Sequence, residues 1–204
     1  MRILAALVAL LLAIPLAACG SDDPEPQPAA GGDTPIYPGA RQPIKPVRLQ
    51  WGQPGSVGGT NGQQIKITPI GILYDKGSPD GGEPANGVFV VLALRAEAVG
   101  QPESIAAPIT GGGFMWQGPD AQKITSIQGN ATSTAWVGEV HEFSNVPIQP
   151  GEPETGIETF DIPTKGGRLI YVDPTTMGVT SWDLPTADQG EGLDKVRQRI
   201  KEFS

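Results

Sequence analysis

The chain has 204 residues, 38% of them hydrophobic and 6% aromatic, with 28 glycines, 21 prolines and a single cysteine. Its net charge of −8, from 14 basic and 22 acidic side chains, comes without a dense lysine and arginine stripe and so excludes nucleic acid as a partner. One cysteine cannot close an internal disulfide, and any folded part must stand on its own core.

Residues 1–18 read as a secretory leader. Met1-Arg2 is the positive head, and Ile3 to Ala18 is apolar apart from the helix-breaking Pro15, which is short of a spanning helix. Leu16-Ala17-Ala18-Cys19 resembles a bacterial lipobox. The resemblance implies cleavage before Cys19, lipid on its sulfur and its amine, export, and anchorage on the outer face of a bacterial cell membrane. Ordinary cleavage after Ala18, with release of a soluble protein, is the competing reading. Loss of Arg2 with the leader takes the net charge from −8 to −9. An anionic bilayer repels that charge, so lipid rather than the protein surface would do the anchoring.

Residues 19–62 are expected to be a disordered tether. Prolines at 24, 26, 28, 35, 38, 43 and 46, with glycines at 31, 32 and 39, leave too few apolar side chains for a core. Extended polyproline geometry gives residues 20–46 a reach of about 80 Å. A short apolar segment, Val47-Arg48-Leu49-Gln50-Trp51, precedes a second loose stretch from Gly52 to Gly62.

Residues 63–187 read as an all-β domain, a β-sandwich of short strands between glycine and proline turns. In Gly87 to Ala98 one face carries Val88, Val90, Leu92, Leu94, Ala96 and Ala98. The other begins with Phe89, Val91 and Ala93, then turns charged at Arg95 and Glu97, as in a central strand leaving the core. Ile65 and Ile67 share one parity and Ile70, Ile72 and Tyr74 the other, which places a bulge or crossing at Thr68-Pro69. Further strands are expected at Phe114 to Gln117, Lys123 to Ile127, Ala135 to Phe143, Gly156 to Ile162, Arg168 to Val172 and Val179 to Leu184. Residues 188–204 carry Leu193, Val196, Ile200 and Phe203 at helical spacing. They are expected to form a short amphipathic helix that either packs on the domain or docks its basic flank on an acidic surface.

Gly87-Val88-Phe89-Val90-Val91-Leu92-Ala93-Leu94, Pro150-Gly151-Glu152 and Gly156-Ile157-Glu158-Thr159-Phe160-Asp161-Ile162-Pro163 together resemble a broad family of secreted and lipid-anchored bacterial domains with an immunoglobulin-like sandwich. The resemblance spans roughly residues 64–184 and implies fold and export, and it supplies no catalytic residue. Ala96-Glu97-Ala98-Val99-Gly100 departs from the family's asparagine-containing turn.

Chemistry-bearing residues are sparse. His141, the single histidine, shares a strand face with Glu139 alone, and one imidazole with one carboxylate makes a poor site. Asp75, Asp80 and Glu83 offer calcium three carboxylates in a glycine-rich loop, but their spacing fits no standard calcium loop, and a solvated hairpin turn explains them equally. Ser56 and Ser78 are read in flexible loops without a nucleophile elbow. Gly111-Gly112-Gly113 lacks the lysine of a phosphate loop and reads as a flexible turn. Trp116, Trp136, Trp182, Phe114 and Tyr171 are assigned to the core, with an outward-facing pair as the alternative that would mark a ligand site. These readings give a non-enzymatic lipid-anchored envelope protein without cofactor, whose partners are the membrane and another envelope component. A small-molecule or metal-binding accessory lipoprotein, for example of a transporter, is the alternative.

Overall fold

The computed structural model describes residues 44–77, 83–106, 112–125, 143 and 146–202, apart from the side chains of Arg199 and Glu202. Cys19, Ser78, Asp80, Trp136, Glu139 and His141 lie outside the described residues. So does the expected strand from Ala135, except for its last residue, Phe143. Among the described residues, nine strands and one helix occur in the order β1 (Val47–Leu49), β2 (Gly55–Gly58), β3 (Gln64–Asp75), β4 (Val88–Ala98), β5 (Gly113–Gln117), β6 (Lys123–Thr125), β7 (Glu154–Ile162), β8 (Arg168–Val172), β9 (Val179–Asp183) and α1 (Leu193–Glu202). No helix among the described residues is long and apolar enough to cross a membrane.

The strands form two sheets. One has the order β1-β9-β8-β5-β6 and the other β2-β3-β4-β7. All pairings are antiparallel except β1 with β9, which run parallel with Arg48 beside Ser181. Strand alternation turns Ile65, Ile67, Val90, Leu92 and Phe160 of the four-stranded sheet toward Phe114, Trp116, Leu169, Tyr171 and Trp182 of the five-stranded one, and together they make one buried core. Trp116 and Trp182 are completely buried. Their indole N–H groups donate to Gly166 O and Gln53 O, both at 2.8 Å. The outward-facing alternative is therefore excluded for these two side chains.

From Val88 to Leu94 β4 is apolar on both faces because both are covered there. Its outer residues Phe89, Val91 and Ala93 form a second buried cluster with Leu73 and Ile157, closed by Val196 of α1 and flanked by Leu193 and Ile200. The terminal helix thus packs on its own domain. Its start is prepared by the β3 irregularity, where the register against β4 shifts between Pro69 and Gly71. Proline supplies no ladder donor there, and Gly71 has no side chain to hold off the chain at Gly192 and Leu193. Gly192 N then donates to Ile70 O at 2.8 Å, and Gln189 exchanges two backbone bonds with Ile72.

The expected boundary between tether and domain is corrected by β1 and β2. Both lie inside the span assigned to the tether, residues 19–62, yet each is a full member of a sheet. The compact unit that holds the sheets begins at Gln42. β1 is fastened by Arg48, whose guanidinium reaches the Asp183 carboxylate at 2.8 to 3.1 Å. β2 carries one large apolar side chain, Val57, and its pattern gives little strand signal. It forms because Gly55 lets Trp182 and Leu49 occupy the place of a side chain, as Gly58 does for Asp173 and Gly59 for Glu103. Ser56 accordingly lies in a strand, not a flexible loop, and Gly113 is the first residue of β5.

Candidate functional site

Three segments converge at one corner of the sandwich: the β2–β3 hairpin, residues 103–106, and the β8–β9 turn. Glu103 is completely buried and would be costly there without donors. It accepts from Asn61 N, Asn61 Nδ2, Gln63 N and Ser104 N at 2.7 to 3.2 Å. Thr60 N adds a bond to Ser104 O at 3.0 Å and its hydroxyl one to Ile105 O at 3.2 Å. The Tyr171 hydroxyl donates to Gly58 O at 2.9 Å and accepts from Ala106 N at 3.2 Å. Burial foremost pushes its ionisation well above the ordinary tyrosine range, the Ala106 N–H opposes this, and the Asp173, Glu103 and Glu158 charges reinforce it. This phenol stays neutral and serves as a strut.

Asp173 completes the corner. Its Oδ1 accepts from Thr175 N at 2.8 Å and Thr176 N at 2.9 Å, and its Oδ2 from Gly58 N at 3.1 Å. Burial pulls its pKa upward, but the N–H donors of Thr176 and Thr175, the Thr176 side chain and Gly58 N–H together outweigh that and hold it below the usual aspartate value. Asp173 is therefore a fixed negative charge at neutral pH, suited to binding rather than to proton transfer. No lysine or arginine among the described residues forms an ion pair with it.

Beside it opens a cleft of about 190 Å³ lined by Ser56, Val57, Gly58, Gly62, Gln64 and Asp173. Val57 and Ile65 face the core, so alternation puts Ser56 and Gln64 on the outer face of the four-stranded sheet. Gly58, paired with Gln64, has no side chain and yields its place to the Asp173 carboxylate. Residues bearing a hydroxyl, a carboxamide and an ionised carboxylate thus line one cleft beside Gly58.

Of the calcium candidates read from sequence, Asp75 and Glu83 are among the described residues and Asp80 is not. Asp75 Oδ1 accepts from Gly77 N at 2.6 Å and closes its own turn, and Glu83 is exposed. Among the described residues no three His, Cys, Asp or Glu side chains are arranged to hold a metal ion. The buried acids Glu103 and Asp161, the turn acid Asp173 and the cleft residues Ser56 and Gln64 were not found from sequence. The Gly58-Gly59 pair and Asp173-Pro174-Thr175-Thr176, an Asx-turn pattern, are the signals that carry them. Comparison with protein-family models, curated proteins and solved structures finds no match for this chain.

Proposed function

We propose that this is a non-enzymatic lipoprotein, anchored through Cys19 to the outer face of a bacterial cell membrane, that presents a β-sandwich for binding another envelope component. The observation that carries the reading is the lipobox-like Leu16-Ala17-Ala18-Cys19, separated by the proline-rich residues 20–41 from a compact unit beginning at Gln42. The corner chemistry supports a binding role, since its buried carboxylate is held by hydrogen-bond donors and Asp173 is fixed in its charged form. Two sheets over one core support immunoglobulin-like layering. The strand order is this chain's own, however: β3 and β4 are sequential neighbours in the centre of one sheet, where the immunoglobulin order places its second strand beside the fifth. The cleft beside β2 favours, as a second reading, an accessory lipoprotein that binds a small molecule.

Intact mass and membrane fractionation of the native protein beside Cys19→Ala test the anchor. A lipid-sized mass increment and membrane recovery, both lost in the variant, are expected. Equal mass and equal fractionation, after allowance for the substitution, would overturn the anchor and leave a freely secreted domain.

A further inference from the structure

We propose that the cleft beside β2 binds a primary ammonium group, from a lysine side chain or a free alkylamine, on Asp173 Oδ2, Ser56 Oγ and Gln64 Oε1. The proposal deepens the binding-module reading and rests on it for its biological setting, whereas the chemistry stands on the cleft alone. An ammonium carries three donors and no acceptor, and the cleft offers three acceptors of different kinds around the glycine gap at Gly58.

The carboxylate geometry selects this cation over others. Oδ1 is occupied by Thr175 N and Thr176 N, Oδ2 accepts from Gly58 N, and the Thr176 side chain also bonds this carboxylate. A guanidinium gains its advantage from two parallel bonds to both oxygens, which this carboxylate cannot give; a point charge needs only one. A calcium ion needs 6–8 oxygen ligands, and a single carboxylate with two neutral side chains falls short of them. The lysine across from Ser56 does not fill the role. Lys66 pairs with Ser56 across the β2–β3 ladder, but its ammonium is held by Glu97.

The site is also prepared before any ligand arrives. Three backbone N–H groups fix the carboxylate, and the turn that carries it is closed by Met177 N to Asp173 O at 2.8 Å and Asp173 N to Gly178 O at 2.9 Å. Met177 itself adopts φ 60, a left-handed conformation that disfavours a side chain. Such a turn holds the charge in one place at little further entropic cost on binding.

The test is amide-resolved NMR titration of the full chain in nonionic detergent with Nα-acetyl-lysine methylamide, its Nε-acetylated form and n-butylamine. Saturable shifts at the Ser56, Gly58, Gly62 and Gln64 amides are expected with the two free amines, at a Kd on the order of 1 mM. Asp173→Asn should weaken binding by about tenfold or more, and Ser56→Ala and Gln64→Ala each by about fivefold with melting temperature unchanged. The two alanine variants keep the test valid if Asp173→Asn disturbs the turn. Equal affinity for butylamine would mean that the ammonium alone suffices, whereas tighter lysine binding would point to a protein-borne source. No shift up to about 50 mM, or an equal shift with the Nε-acetylated probe, would overturn the proposal. Failure here with the lipid mass retained sinks the ammonium site alone, and loss of the lipid claim with binding intact sinks the anchor alone.

Discussion

Val196→Ala tests whether the terminal helix is part of the fold. Val196 is completely buried against Leu73, Phe89, Val91, Ala93 and Ile157. Removing two buried methyl groups costs about 1.6 kcal/mol in transfer free energy, and the residual cavity adds to this. Alanine is the better helix former and returns about 0.5 kcal/mol. The net loss is about 1–2 kcal/mol, or about 3–6 °C in Tm for a domain of this size. Thermal melts followed by circular dichroism, with urea titrations to check that the m-value is unchanged, measure it. Arg197→Ala, on the exposed side of the same helix, should stay within about 0.5 kcal/mol of the parent. An unchanged Tm for Val196→Ala, or an equal fall in both variants, would refute the packing of α1 on the sheet.

Two further predictions concern buried polar groups. The Tyr74 hydroxyl donates to Pro185 O at 2.6 Å and accepts from Gly166 N at 2.9 Å, and Tyr74→Phe should cost about 1–3 kcal/mol by leaving Gly166 N without its acceptor. Burial foremost pushes the Tyr74 pKa up to about 12, the Gly166 N–H opposes this, and Asp188 adds to it; Tyr171 is raised as well. A raised folded pKa gives stability that is complete below pH 10 and lost as pH rises through the folded value. Phenolate absorbance should therefore show two of the chain's three tyrosines ionising only together with unfolding, and titration of more than one tyrosine near pH 10 with circular dichroism intact would contradict it. Asp161, completely buried, accepts from Ala85 N at 2.6 Å and Asn86 N at 3.1 Å, which ties the approach to β4 onto β7. Asp161→Ala should abolish hydrogen-exchange protection at these two amides, and retained protection would show that the loop is held by something else.

The parts of the fold that were legible in sequence are those where side-chain period carries the information. The β4 alternation, the break at Thr68-Pro69 and the helical spacing of Leu193, Val196 and Ile200 each correspond to an observed element. Arg168 to Val172 matches β8 residue for residue. β2 was illegible because its glycines contribute by what they omit, and hydrophobic period does not register a place left open for Trp182 or Asp173. β1 was too short, at three residues, for alternation to speak. The corner cleft was hidden for a third reason: Ser56, Gln64 and Asp173 are more than a hundred positions apart at the extremes, and only sheet pairing and the β8–β9 turn bring them together.

Net charge read from composition also misjudges the exterior of this domain. Glu103 and Asp161 are completely buried and Glu158 is 2% exposed, so part of the formal −8 never meets solvent as surface charge. Glu103 and Asp161 are absorbed by backbone N–H groups and act as internal ties between segments that the chain order keeps apart. Asp173 is held by the same device, with N–H donors from its own turn and from Gly58, but it stands beside the β2 edge and lines the cleft. The difference between a structural acid and the proposed binding acid here lies in position, since backbone N–H groups hold both. That is why selectivity for an ammonium should fall on Asp173→Asn, while Asp161→Ala should loosen a loop and leave the cleft intact.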